Sequence, residues 1–319
     1  MSPFYEYPFE SNYRTIDNRI IHYLDEGNGP VIWLMHGMPM WSYVYRKVIP
    51  PLVKAGFRCF VPDLLGFGLS EKTKSESVHS VQYHVYLMSR LIGELGLTNI
   101  TIVGQDWGGP ISLRYAIENQ TNIAGLVLLN TFIQRFPANR KERKELDIIT
   151  GPLPTVYEIL FKNGNLSSFL VNRLDVFRKF VWLKWKTGNP SKKLGAGFRR
   201  PVDPEVMKNY LWPHAKPETR SAIAAFAKLI PNSEHHPNAR YIDQIKDYLK
   251  KWNIPATVIF PDGDMAWKPE EGKKIADILL NSEFHLIKNT GHYIQEDAPE
   301  EVSQYIINFM NNKIIRRMD

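Results

Sequence analysis

The chain has 319 residues, 44% of them hydrophobic, and a formal net charge of +7. That is enough apolar material for a large core, arranged as one domain or as a core with an insertion. One cysteine, Cys59, excludes an intrachain disulfide and fits a reducing compartment, and no apolar run nears the roughly 18 residues of a membrane span.

The first residues, MSPFYEYPFE, lack the basic and apolar regions of a secretory signal. The expectation is a soluble, cytoplasmic protein without internal repeats. The charge is uneven. Between Thr131 and Asn232 there are 19 Lys/Arg and 8 Asp/Glu, hence +11, which leaves 21 against 25, or −4, elsewhere. A basic segment can attract anions, membranes or nucleic acid. Its basic residues form no stripe interleaved with aromatics, so solvated helix faces such as RKERKE (140–145) are the better reading, with no nucleic-acid partner.

In chain order, NRIIHYLDEG and VIWLMHG predict strands, the second a buried apolar run. WSYVYRKVIPPLVKAG predicts a helix disturbed by Pro50 and Pro51. FRCFVPDLL is the next strand. SVQYHVYLMSRLIGELG aligns Val81, Val85, Met88, Leu91, Ile92 and Leu95 on one helical stripe and ends at a glycine stop. NITIVGQD (strand), WGGPISLRYAIENQ (helix) and IAGLVLLN (strand) follow. The alternation then stops for about 100 residues and resumes with IPATVIFPDGD, KPEEGKKIADIL, EFHLIKNTGH and PEEVSQYIINFMNN. Such alternation predicts a mostly parallel central sheet covered by helices on both faces. The interruption reads as an inserted helical cap with apolar stretches TVYEILF, FRKFVWLKW and AIAAFAKLI. The expected organisation is a core over 1–132, a cap over 133–231 and the rest of the core over 232–319. Ligands of open α/β sheets bind beyond the carboxyl ends of the strands, and this cap would close over that end.

GQDWGGP (104–110) has the frame of a nucleophile elbow, a sharp strand-to-helix turn, with Asp106 at its centre where serine is usual. An N-cap aspartate explains the acid but not the glycines on both sides. HGMP (36–39) follows an early strand. There the backbone N–H of Met38, with that of Trp107, would form an oxyanion hole. The order nucleophile, acid, histidine requires a late histidine. Of nine, only His292 lies just past a predicted final strand. His235 and His236 read as surface residues and His36 as a structural hydrogen-bonder. FPDGDMAWKP offers Asp262 and Asp264 as the acid. Asp264 has the better reach, and Asp262 fits turn chemistry before Gly263. Asn130, at the end of the earlier strand, cannot carry the charge.

HGMPMWSYVYRKVIPPL, VPDLLGFGLSEK, VGQDWGGP, LLNTF and NTGHYIQEDAPEEV together resemble the haloalkane dehalogenases, a branch of the α/β-hydrolase superfamily. MKNYLWPHAKPETRSAIAAFAKLIP resembles the distal part of that family's cap. The resemblance implies an α/β-hydrolase fold and an Asp-His-Asp triad of Asp106, His292 and Asp264. It places the halide-binding tryptophan at Trp107. It implies hydrolysis of a small halogenated substrate by water, releasing a halide ion, with no cofactor and no metal. No Walker motif, dinucleotide fingerprint or zinc spacing is present.

The family uses a second halide donor, in one subgroup an Asn at the position of Met38, whose side chain cannot donate. Trp182, Trp185 and Trp212 of the cap are the remaining candidates. Two rival functions stand beside this one. Epoxide hydrolysis would need cap tyrosines, for which Tyr157 and Tyr210 are available, although Gln105 and WSYVYR favour dehalogenation. A ligand-binding or oxygenase relative could keep the triad by descent, as the resemblance of the coelenterazine luciferases to this family indicates.

Overall fold

The computed structural model describes residues 3–135, 197–231, 234–264 and 266–317. Within them one eight-stranded sheet comprises β1 (Asn12–Ile16), β2 (Arg19–Glu26), β3 (Val31–Met35), β4 (Arg58–Pro62), β5 (Ile100–Asp106), β6 (Ile123–Thr131), β7 (Ala256–Pro261) and β8 (Ser282–Ile287). The spatial order is β1-β2-β4-β3-β5-β6-β7-β8. The pairings β1–β2 and β2–β4 are antiparallel, and all later ones are parallel. The sequence reading misses β1. Only its last residue, Ile16, is buried, so this edge strand offers no apolar alternation to detect.

Nine α-helices are described: α1 (Ile49–Lys54), α2 (Val81–Glu94), α3 (Gly108–Glu118), α4 (Pro204–Leu211), α5 (Ser221–Leu229), α6 (Ala239–Leu249), α7 (Pro269–Ile278), α8 (Ile294–Asp297) and α9 (Pro299–Phe309). Successive residues of the central strands feed opposite faces, as the pleat requires. Trp33, Ile102, Leu128 and Val258 pack with Met88 and Leu91 of α2 and Ile111 of α3. Leu34, Val103, Val127 and Ile259 pack with Leu52 of α1 and Val302 and Ile306 of α9. Both faces are therefore dry, which accounts for the continuous apolar runs of β3 and β6. Helix α2 starts where the Ser80 hydroxyl accepts the Tyr83 N–H at 3.1 Å. It is followed by Gly96 at φ +60°.

Two local expectations are corrected. The stretch 41–56 is not one helix but a 3₁₀ turn, Ser42–Tyr45, followed by α1. Pro50 and Pro51 lie in the first turn of α1, where missing N–H groups cost nothing, so they begin a helix rather than disturb one. The sequence reading also passes over a helix before IPATVIF, within the 232–319 expected for the core. Helix α6 buries Ile242, Ile245 and Leu249 and docks beside α3, where Arg114 donates to Gln244 (3.0 Å) and covers the Tyr241 ring. Its apolar face is narrow and its other positions are charged or polar, which hid it among surface residues. From the expected cap, the described residues hold α4 and α5. TVYEILF, FRKFVWLKW and RKERKE lie outside the described residues. No helix of the described residues is long and apolar enough to cross a membrane.

Candidate active site

Asp106 ends β5 in the left-handed region, at φ +49°. A non-glycine residue there is strained and must be held by its surroundings. The Thr131 hydroxyl donates to the Asp106 carbonyl at 2.7 Å, and the β5–β6 register shifts between Gln105 and Asp106. A Cβ at Gly109 would overlap the Thr131 hydroxyl, and one at Gly108 would overlap the Met35 carbonyl. These two glycines let α3 begin directly against β3 and β6, which projects Asp106 beyond the strand ends.

The carboxylate is buried. The Met38 N–H donates to Oδ1 at 3.0 Å, and the Trp107 N–H also bonds the carboxylate. Burial pushes the Asp106 carboxyl above its ordinary range, while the His292 charge and the two amides oppose that rise. The two N–H groups predicted to form an oxyanion hole thus converge on the Asp106 carboxylate.

His292 lies between β8 and α8. Its Nδ1 faces Asp264, 2.9 Å from Oδ2 and 3.1 Å from Oδ1, and its Nε2 lies 3.7 Å from Asp106 Oδ2. Burial works against the charged imidazole. The Asp264 charge and hydrogen bond, with the Asp106 charge, outweigh it and lift His292 to about 9. Asp264 also accepts the Ala266 N–H at 2.6 Å and an N–H of the Asn130 amide at 3.0 Å. Asp262 instead accepts the Thr290 N–H at 3.2 Å, closing a turn. Of the two candidate acids, only Asp264 meets the histidine.

Sequence reasoning missed part of this setting. Asn130 entered only as an uncharged residue, yet its amide donates to both Asp264 and the His292 carbonyl, the latter at 2.7 Å. Its position at the end of β6, beside the elbow strand, was the available signal. Asp297 accepts the N–H groups of Gly291, Arg199 and Arg200, tying the His292 loop to residues 199–200. Nothing local in the sequence announces those partners.

Trp107 is 1% exposed. It meets Phe132 edge-on at 5.1 Å and Phe226 of α5 at 5.4 Å. Trp212 is 54% exposed and packs against Phe4, on the surface. Trp182, Trp185 and Tyr157 lie outside the described residues. The Tyr210 hydroxyl donates to Glu296 at 2.6 Å, within a buried cluster that includes Arg46, with the partly exposed Lys47 reaching Glu296 from its edge. His36 is buried and takes the Leu64 N–H, while His235 is exposed. His236 is half-buried, and its ring donates to the Lys228 carbonyl at 2.9 Å. Among the described residues no group of three or more His, Cys, Asp or Glu is arranged to hold a metal ion.

Residues 30–299 match a family model described as alpha/beta hydrolase fold. Haloalkane dehalogenase 2 of Mycobacterium tuberculosis is 32% identical over 302 residues, which is 94% of this chain and 95% of that protein. The cis-3-alkyl-4-alkyloxetan-2-one decarboxylase of Shewanella oneidensis is 28% identical, over 95% of this chain and 89% of its own length. The crystal structure of the haloalkane dehalogenase DatA from Agrobacterium tumefaciens superposes with a TM-score of 0.80 at 21% identity, covering 95% of this chain and 96% of that one. With a mostly parallel sheet, an aspartate at the elbow and relatives matched along nearly their whole length, the chain belongs to the haloalkane dehalogenase family of the α/β-hydrolase fold.

Proposed function

We propose that the chain hydrolyses carbon–halogen bonds of small organic substrates, with Asp106 as nucleophile, His292 as base and Asp264 as the acid that orients it. One observation carries this reading: a buried carboxylate whose Oδ1 is held by a backbone amide and whose Oδ2 faces a histidine. A carboxylate needs no proton removed before it attacks. Oδ2 displaces the halide in line from carbon, and an alkyl ester of Asp106 forms. The indole N–H of Trp107 donates to the departing halide in a site lined by Phe132 and Phe226.

Esterification removes the Asp106 charge, one of the groups that lift His292. The imidazole then sheds its proton more readily and can take one from water. That water attacks the ester carbon, and the developing oxyanion stays on the N–H groups of Met38 and Trp107. Collapse returns Asp106 and releases the alcohol, and the halide and a proton leave with it. Asp264 keeps the Nδ1–H tautomer throughout. In this reading 133–231 form the cap. The single cysteine, Cys59, is buried and calls for no oxidising compartment, which favours the cytoplasm.

Epoxide opening needs a hydroxyl free to protonate the ring oxygen. Tyr210 has its hydroxyl on buried Glu296 instead. A halide-release assay and a diol-formation assay on the same protein test the proposal. Halide release without epoxide turnover is expected. Epoxide turnover alone would replace dehalogenation with the rival, and neither activity would favour a ligand-binding or luciferase-like relative.

A further inference from the structure

Gln105 precedes the nucleophile and is fully buried. Its side-chain nitrogen lies 3.2 Å from His292 Nε2 and 3.4 Å from the His292 carbonyl. Its Oε1 is buried without a hydrogen-bond partner among the described residues. An orphaned buried acceptor is costly, so the group next to it merits a physical account.

The ring nitrogens supply one. Nδ1 faces Asp264, a carboxylate that only accepts, so Nδ1 carries a proton in either state of the ring. Nε2 faces Asp106, also an acceptor, at 3.7 Å. Among the described residues, the charged groups beside the loop include Asp297, which accepts the Gly291 N–H, Arg199 and Arg200, whose own backbone N–H groups bind that same carboxylate, and Glu296, which is paired with Arg46 and Lys47. Tyr293 is held neutral, since burial and then Asp106 and Asp264 push its hydroxyl far up. Two carboxylates therefore favour a ring protonated at both nitrogens. Against an Nε2–H, an amide N–H₂ keeps only its 3.4 Å contact with the His292 carbonyl, which Asn130 already serves at 2.7 Å. A half-turn of the amide about its last torsion places Oε1 there, converting an orphaned acceptor into a partner of a charged donor.

We propose that Gln105 is a positioning residue for His292, its side-chain oxygen accepting the Nε2–H of the protonated ring in the resting enzyme. The bond fixes the edge of the imidazole that faces Asp106, and it acts through His292 rather than on substrate. It also adds to the proton affinity of the ring, so its removal has a sign. This inference rests on His292 as the base, but its test needs no turnover, so failure of halide release leaves it standing.

Histidine-selective ¹⁵N labelling reports the His292 Nε2 titration in the free enzyme. Gln105→Met should move that titration down by about one pH unit, the scale of a hydrogen bond to a charged group. Gln105→Glu, which adds charge at the same distance, should move it up. An upward move or no move in Gln105→Met would show the N–H₂ end facing a bare Nε2 and overturn the proposal. Neutron diffraction from wild-type crystals near neutral pH gives a readout that requires no variant. A deuteron on Nε2 directed at Oε1 is expected, and ND₂ directed at an undeuterated Nε2 would overturn the proposal.

Discussion

Asp106 Oδ2 and His292 Nε2 stand 3.7 Å apart, beyond hydrogen-bond length and within reach of each other's charge. The proposed nucleophile and the proposed base are therefore coupled electrostatically without sharing a proton. On the proposed roles, the first half-reaction should run without the histidine and the second should not.

His292→Phe should accordingly alkylate and stall. After incubation with a short bromoalkane, intact-mass and peptide analysis should find one alkyl group on the peptide carrying Asp106. An unmodified peptide, under conditions where the wild type releases bromide, would exclude the ester.

Trp107→Phe keeps a ring between Phe132 and Phe226 but removes the N–H. Losing one preorganised donor lowers rates on the order of 10²–10³. Chlorinated substrates should suffer at least as much as brominated ones, as steady-state kinetics with matched chains would reveal. Wild-type rates would reduce Trp107 to packing.

The two aspartates after β7 should separate cleanly. Asp264→Asn removes the partner of Nδ1 and should accumulate alkyl-enzyme, with ester hydrolysis slowed by about 10⁴, as in other triads. Asp262→Asn touches only a turn to Thr290 and should turn over nearly normally. Rapid-quench measurement of the two half-reactions distinguishes them. The reverse pattern would move the acid to Asp262.

His292 also links stability to pH. Its value is raised in the fold from 6.5 to about 9. A raised value contributes stability that is whole below the unfolded value and is lost as pH rises through the folded one. The wild type should thus lose Tm relative to His292→Gln between pH 6.5 and about 9. A difference that stays flat across that window would mean His292 is not protonated in the folded resting state.

Arg46, Glu296 and Tyr210 form a buried cluster between the 3₁₀ turn, α8 and α4. Arg46→Met leaves Glu296 with Lys47 and Tyr210 alone and should cost about 3 kcal/mol in urea unfolding. Adding Glu296→Leu should recover part of that loss, because the second change removes the stranded charge. A double variant weaker than the single one would contradict this account.

The elbow was legible because its chemistry is local. An acid flanked by glycines between a strand and a helix needs no distant information. His292 and Asp264 were legible through their positions at strand ends. Asn130, Asp297 and Gln105 were less so, because their meaning lies in partners 162, 98 and 187 residues away. The edge strand β1 and helix α6 show the other limit. Each exposes most of its surface, so hydrophobic periodicity, which records burial, carries little about them.

The contact between Phe226 and Trp107 bears on ancestry and engineering. A ring from α5 forms part of the wall around Trp107, so α5 is not an exchangeable module. A graft from a relative would have to supply an aromatic ring at that place, as well as backbone for Asp297 to hold. Segments 197–200 and 221–229 should therefore be inherited together with the core, and recombination that divides them from it should yield folded proteins with a misplaced tryptophan.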